Sequence, residues 1–453
     1  MRTKVKTDRT HYLFDNKEII SLIIPLIIEQ LLAVLVGMAD SVMIASVGEA
    51  AVSGVSLVDN VMVLLINLFG ALATGGSVVA GQYLGKKQEE KADRASNQLI
   101  WFSTICAIGI TILVYLGKSF ILQTVFGEIA PDVRGYANTY LLIVTASIPF
   151  IALYNGGAAI FRTMGNAKVT MIVSLIMNAV NVIGNATLIY GFHMGAEGVA
   201  IPTLVSRMVA AVLIVILLLN PKQVLHLQKT LKYRPDWKMI KNILGLGIPN
   251  GLENSMFQLG KIMVLSLVST FGTYAIAANA VSNAVAMFQI LPGMAISLAV
   301  TTVISRCVGA KDYEQVSYYT KKLMTITYAC MIVTNVIIYL LLPVIMQIYN
   351  LSAKTSQVTE QILIFYSVSC VLIWPIAFTL PTTLRAAGDA KMSMIISILS
   401  MWIFRIGFSY LLGKYFGMGV FGVWVAMVID WVFRAILFVA RYIGGKWKEI
   451  RTV

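Results

Sequence analysis

The chain has 453 residues, of which 58% are hydrophobic and only 12% are charged. Soluble domains carry about 45–50% apolar and about 25% charged residues, so this composition excludes a water-soluble globular protein and predicts an all-α integral membrane protein. The formal net charge of +14 would suit a nucleic-acid partner, but the positions of the basic residues favour another explanation.

Apolar runs long enough to cross a bilayer, which takes about 20 helical residues, follow one another along the chain. The polar and basic segment 1–17 is predicted to be a cytoplasmic tail without a cleavable signal. Two groups of six spans follow, separated by a Lys/Arg-rich linker at 221–240 and followed by a tail at 442–453. The twelve spans are predicted near 18–44, 51–80, 96–116, 134–162, 167–190, 197–219, 241–268, 274–304, 321–347, 360–385, 391–413 and 418–441.

With twelve spans, alternate connections lie on the same side of the membrane. One side then holds 28 of the 35 Lys and Arg residues, in segments 1–17, 81–95, 162–168, 206–241, 306–322, 385–391 and 441–453. Basic loops stay on the cytoplasmic side, which places both termini in the cytoplasm and the protein in the inner or plasma membrane. The positive charge is therefore a topology signal and a contact with the lipid bilayer, and we expect no nucleic-acid partner.

An internal repeat relates the two groups of spans. Sliding the chain along itself by a constant offset superposes Pro25 on Pro249 and Glu29 on Glu253. The same offset pairs Gly48 with Gly272, Gly85 with Gly309, Gly195 with Gly419 and Gly198 with Gly422, and an offset shorter by a single position pairs the turns 162–168 and 385–391. Because six is even, both repeats enter the membrane in the same orientation. This predicts two parallel six-helix lobes, 18–220 and 241–441, of the kind that rock around a central site in transporters.

Several stretches resemble the MATE (multidrug and toxin extrusion) transporter family. They are PLIIEQLLAVLVGMAD at 25–40, NVIGNATLIYG at 181–191, GIPNGLENSMFQLGK at 247–261, MGVFGVWVAMVIDWVFR at 418–434 and the paired RxxG[ND]AK turns. The resemblance covers essentially the whole chain. It implies a V-shaped, non-enzymatic exporter of organic, often cationic, drugs in exchange for inward H+ or Na+. It implies no cofactor besides the coupling ion, and we expect a monomer.

The resemblance also implies a cation site. Family members carry an acidic residue in helix 1, fifteen residues after a proline, and two polar partners four apart in helix 5; these positions here are Asp40, Asn181 and Asn185. We expect H+ or Na+ there, although some relatives have aspartate at the Asn185 position. Relatives with a second sodium site carry glutamate eight residues after the second proline, where this chain has Phe257, which argues against importing that site.

Glu29 and Glu253 form a pseudosymmetric pair, each four residues after its proline. Charged side chains inside a span are costly and usually face a cavity or a partner. At this spacing each carboxylate could share a cation with carbonyls freed by the proline. The alternative is a symmetric structural lock, in which each glutamate bonds to the backbone near its own proline. Glu253 is the stronger candidate for coupling or substrate binding.

The second repeat contains further ionisable residues without counterparts in the first. Asp430 and Arg434 are four apart and can pair directly, while Lys261 lies two turns after Glu253 on the same helix face. Together with Arg405 they suggest either a buried acid–base network or a wall facing an anion.

Asp59, near the outer end of the second span, is expected to be solvated.

An alternative function is a lipid-linked oligosaccharide flippase of the related superfamily, in which the second-lobe cations would bind phosphate. Twelve spans and few intramembrane cations favour the exporter. The sequence has no P-loop, HExxH or nucleophile elbow, so we expect an ion gradient as the energy source and small organic solutes as substrates.

Overall fold

The computed structural model describes residues 11–230 and 232–453. Residues 1–10 of the predicted tail and Leu231 of the predicted linker lie outside the described residues. The described chain forms twelve long helices. They are α1 (Asn16–Ala45), α2 (Glu49–Gly85), α3 (Glu89–Leu116), α4 (Pro131–Thr145 and Ile148–Thr163), α5 (Ala167–Gly191), α6 (Glu197–Leu218), α7 (Trp237–Ser269), α8 (Thr273–Gly309), α9 (Tyr313–Tyr349), α10 (Ala353–Ala386), α11 (Ala390–Tyr415) and α12 (Gly419–Ile443).

The prediction of an all-α membrane protein is confirmed. Among the described residues, ten helices are long and apolar enough to cross a membrane, and α4, whose two segments meet at a bend of 48°, makes an eleventh. The helix α7 has 33 residues, but charged and polar residues, Glu253 and Lys261 among them, lower its hydropathy. It packs along α2, and its Glu253 is buried, as expected for a charged residue that has a partner within a span.

The repeated turns have the same backbone in both halves. Gly165 after α4 has φ +85° and Gly388 after α10 has φ +105°, a left-handed conformation that glycine adopts without a steric cost. These are the glycines of the two RxxG[ND]AK turns. The sequence repeat is therefore also a repeat of local structure.

The helices α1 and α7 exchange partners between the two halves. Ile19, Leu22 and Leu26 of α1 are fully buried in a core formed mainly by α8, α9 and α10. The equivalent part of α7, including Met239 and Ile243, is buried against α2, α3, α4 and α6. Each half also has a core largely of its own. The first part of α1 thus packs into the second half, and that of α7 into the first.

Two hydrogen bonds join the two halves near the point where α2 crosses α8. Gln82 Nε2 of α2 donates a 2.9 Å hydrogen bond to the carbonyl of Ala386, and Arg306 Nη2 of α8 donates a 2.6 Å bond to the carbonyl of Thr163. Gln82 and Arg306 occupy matching positions of the two repeats, so the two bonds are equivalent. They lie at the basic end of the bundle, beside the two repeated turns.

Candidate functional site

The carboxylate of Asp40 lies beside the amides of α5. Asn185 Nδ2 donates a 2.6 Å hydrogen bond to Asp40 Oδ1 and is 3.3 Å from Asn181 Oδ1, and Asn181 Nδ2 lies 3.2 Å from Thr203 Oγ1. Asn185 is fully buried and Asp40 is half-buried. The contact between Asp40 and the amide pair, expected from the resemblance, is therefore present.

This arrangement offers oxygen atoms to a small cation. Asn185 Oδ1 is buried without a hydrogen-bond partner in the described chain, and the Asp40 carboxylate is the nearest negative charge. Carboxylate and amide oxygens are ligands that hard cations prefer, and a carboxylate also accepts a proton. The residues present fit either H+ or Na+.

A second part of this site was not predicted from the sequence. Tyr140 OH donates a 2.8 Å hydrogen bond to Asp59 Oδ1, and Arg207 Nη1 donates a 2.7 Å bond to Ser147 Oγ. Asp40, Asp59 and Arg207 interact electrostatically. We call Asp40, Asp59, Tyr140, Asn185 and Arg207 the acidic cluster; its two carboxylates and one guanidinium give it a net negative charge.

Two expectations about these residues were wrong. Arg207 was counted in the cytoplasmic segment 206–241, but it lies at the middle of α6, which leaves 27 of the 35 basic residues on the predicted cytoplasmic side. Asp59 was expected to be solvated, but it is bound to Tyr140 and only partly exposed. Asp59 and Arg207 can both be recognised in the sequence as charged residues inside an apolar run, whereas nothing in the sequence marks Tyr140 as part of a site.

Glu29 and Glu253 each pair with the arginine of their own repeated turn. Glu253 Oε1 lies 2.7 Å from Arg385 Nη2, and Glu29 Oε1 lies 3.4 Å from Arg162 Nη1. Glu29 also accepts a 2.9 Å hydrogen bond from Thr170 Oγ1. All of these side chains are mostly buried. The structure thus fits the lock interpretation, with an arginine rather than the backbone as the partner.

The predicted pairing of Asp430 with Arg434 is confirmed. Arg434 Nη2 is 3.5 Å from Asp430 Oδ2, Ser400 Oγ donates a 2.6 Å hydrogen bond to Asp430 Oδ1, and Arg434 lies 3.3 Å from the carbonyl of Ser397. Asp430 and Arg434 are 0% and 2% exposed. Both carboxylate oxygens of Asp430 are therefore occupied inside the second lobe.

Lys261 and Arg405 flank one aromatic ring. Lys261 Nζ and Arg405 Cζ each lie 5.0 Å from the ring centroid of Phe257. Lys261 and Glu253 were expected to share a face, but Glu253 is buried against Arg385 while Lys261 is exposed. We call Phe257, Lys261 and Arg405 the basic cluster. Within residues 11–230 and 232–453, neither cation forms an ion pair within 4.0 Å.

Comparisons with known proteins agree with the fold and its repeat. A family model described as MatE matches residues 25–187 and 249–411, two stretches that begin at Pro25 and Pro249. A probable multidrug resistance protein NorM from Thermotoga maritima is 26% identical over 96% of this chain and 93% of its own length. An uncharacterized transporter, YisQ, from Bacillus subtilis is 26% identical over 98% of this chain and 96% of its own length.

Solved structures share the same fold. An outward-facing multidrug resistance MATE family transporter of the MOP superfamily superposes with a TM-score of 0.90 at 22% identity, covering 96% of this chain and 97% of that one. A MOP superfamily transporter from Pyrococcus furiosus, described as having a binding pocket of reverse polarity, superposes with a TM-score of 0.87 at 23% identity over the same shares.

Proposed function

The chain belongs to the MatE family, and from this premise we propose that it exports small organic solutes, organic cations among them, in exchange for H+ or Na+. It is a multi-pass membrane transporter rather than an enzyme. The observation that carries the proposed coupling is the 2.6 Å hydrogen bond from Asn185 to Asp40. This bond supports the interpretation that the Asp40 carboxylate is held inside a span, with the amide oxygen Asn185 Oδ1 beside it and free to bind a cation.

In this proposal Asp40 binds the coupling cation, and Asn181 and Asn185 position its carboxylate. Cation binding neutralises the negative charge of the acidic cluster. An organic cation attracted by the same charge competes with the coupling ion, so the binding of one displaces the other. Coupling further requires that the ion bind with different affinities in the two arrangements of the lobes.

The orientation follows from the positive-inside rule. Both termini are cytoplasmic in this proposal, so the crossing of α2 and α8 closes the cytoplasmic end. Alternating access then requires the equivalent bonds of Gln82 to Ala386 and of Arg306 to Thr163 to break together. Glu253, Asp430 and Arg434 act in this proposal as the structural frame of the second lobe, because their charges are already paired.

A lipid-linked oligosaccharide flippase remains the alternative function. The observation that favours it is the basic cluster, since unpaired Lys261 and Arg405 would suit a phosphate group. A flippase of this kind should not need the oxygen ligands around Asp40.

The test is gradient-driven efflux from reconstituted liposomes. We expect efflux of ethidium to respond to an imposed H+ or Na+ gradient, and Asp40→Asn to abolish the response while the purified variant keeps its unfolding temperature within a few degrees. The control is Glu360→Gln, which removes an exposed carboxylate of α10 and should leave efflux unchanged. Driven efflux at the normal rate by Asp40→Asn would refute the assignment.

A further inference from the structure

We propose that the basic cluster of Phe257, Lys261 and Arg405 binds the carboxylate of the transported solute, so that aromatic zwitterions are a preferred substrate class. This inference rests on the proposed function, because it concerns the solute carried by the same exporter. It adds an anionic group to the solute and assigns that group to α7 and α11, the helices that carry Lys261 and Arg405.

The positive charge around Arg405 in the second lobe is not balanced by a direct ion pair among the described residues. Asp430 is the carboxylate that interacts electrostatically with Arg405, but its two oxygens are occupied by Ser400 and Arg434. Arg405 is only 8% exposed. A nearly buried cation that forms no ion pair within 4.0 Å among the described residues keeps part of its desolvation cost, and an anion arriving with the solute would reduce that cost.

The two cations of the basic cluster share one aromatic ring. The ammonium group of the exposed Lys261 and the guanidinium group of the buried Arg405 each lie 5.0 Å from the ring centroid of Phe257. Cation–π contact restrains both head groups, and the charges of Lys261 and Arg405 interact with each other. A carboxylate bound at this cluster would offset both charges, and the guanidinium can form two parallel hydrogen bonds to it.

The local backbone of α11 also favours a binding site at Arg405. Arg405 lies in a π-helical stretch, Met401–Gly407, and such stretches occur frequently at functional sites. The equivalent position in the first repeat is Asn181, which lies in a regular α-helix and belongs to the Asp40 site. The two repeats therefore place an amide and a cation at the same position.

The acidic cluster of the first lobe and the basic cluster of the second lobe thus carry opposite charge. The acidic cluster of α1, α2 and α6 has a net negative charge, and the basic cluster is positive and unpaired. A solute with an ammonium and a carboxylate group carries a charge complementary to each cluster, and its ammonium group would compete with the coupling cation at Asp40. A solute with only a cationic group leaves Lys261 and Arg405 without a counter-ion.

The test uses two dyes that differ in a single group. Rhodamine 110 carries a free carboxylate, and rhodamine 123 is its methyl ester. Binding to the purified protein in detergent is followed by fluorescence anisotropy at neutral pH. We expect the wild-type protein to bind rhodamine 110 roughly tenfold more tightly, as one charge-assisted hydrogen bond would provide. Lys261→Met should remove this preference by weakening rhodamine 110 alone, and Lys261→Arg should retain it.

The matched control is Lys354→Met. Lys354 Nζ also lies over an aromatic ring, 4.0 Å from the centroid of Tyr274, but outside the basic cluster, so its loss should leave the preference intact. Equal affinity of the wild-type protein for the two dyes would overturn the inference even if Lys261→Met failed to fold. An equal effect of Lys261→Met on both dyes would also overturn it.

This outcome is separable from that of the proposed function. If ethidium efflux responds to an ion gradient but the dyes bind equally, exporter function stands and the anion subsite falls. If the carboxylate preference is present and depends on Lys261 but no gradient drives efflux, the subsite stands and ion coupling falls.

Discussion

Gly85 of α2 and Gly309 of α8 occupy equivalent positions of the two repeats, and each lies against the backbone of the other helix. A Cβ atom at Gly85 would overlap the carbonyl of Arg306, and one at Gly309 would overlap that of Gln82. The absence of side chains at these two positions allows the lobes to meet at the basic end.

A side chain at Gly85 should hold the lobes apart. Overpacking costs about 1–3 kcal/mol, so Gly85→Leu should open the crossing at least roughly fivefold more often. The reporter is Cys307, which is fully buried in α8, in a background without the other three cysteines. Maleimide labelling of Cys307 should accelerate accordingly. Gly70→Leu in the same helix, where a Cβ meets nothing within 4 Å, should label at the wild-type rate; equal rates for both variants would disprove the role of the crossing.

Removing the amide beside Asp40 should weaken ion coupling without removing it. Asn185→Leu eliminates Asn185 Oδ1, the buried oxygen without a hydrogen-bond partner in the described chain, together with the 2.6 Å hydrogen bond to Asp40. Because that bond favours the ionised carboxylate over the protonated one, its loss does not weaken H+ binding. The loss of an oxygen ligand should instead raise the Na+ concentration that gives half-maximal efflux at least roughly tenfold. Asn178→Leu is the control, because Asn178 bonds to Ser174 on the same helix instead. A normal ion dependence in Asn185→Leu would show that this amide does not serve the cation.

The two Glu–Arg pairs should differ in their contribution to stability. Arg385→Met leaves Glu253 buried without its partner and should destabilise the protein by roughly 3–5 kcal/mol, measured by unfolding in detergent. The double variant with Glu253→Gln should recover most of this loss. Arg162→Met should cost less, because its pair is longer and Glu29 keeps the bond from Thr170. Equal losses at the two sites would contradict this ranking.

The 219–236 connection between the lobes is hydrogen-bonded to Gln98 of α3, and we expect it to loosen when these hydrogen bonds are removed. Gln98 donates to the carbonyl of Arg234 at 2.8 Å and accepts from the backbone N–H of Asp236 and the hydroxyl of Tyr233. Gln98→Leu breaks all three bonds. Each is worth about 1 kcal/mol, so trypsin should cut the 219–236 connection more than roughly tenfold faster. Gln88→Leu, at an exposed position near the start of α3, should be cut at the normal rate.

The sequence predicted features that follow from regular spacings along the chain. The offset between Pro25 and Pro249 identified the two repeats, and the four-residue spacing of Asp430 and Arg434 identified their ion pair, because helical geometry determines which neighbours meet. The contact of Asp40 with Asn185 was expected from the resemblance. These contacts lie within one helix or at positions that the resemblance already relates.

Contacts between distant helices were not predictable in the same way. The arginine partners of Glu29 and Glu253 lie far away in the chain, on another helix of the same repeat, and hydropathy carries no information about such pairs. Arg207 was misassigned because the predicted cytoplasmic segment began at residue 206, inside the apolar run that continues to residue 218 as α6. The exchange of α1 and α7 is likewise invisible in a single sequence, since both helices read as ordinary parts of their own repeat.

That exchange has a consequence for how the protein is made. A membrane protein is synthesised from its N-terminus, so α1 enters the bilayer well before α8, α9 and α10 exist. Ile19, Leu22 and Leu26 must remain against lipid or other chain segments until those helices arrive, because their native partners lie there. The first repeat therefore cannot reach its native packing as a separate unit, and the duplicated halves mature only as one molecule.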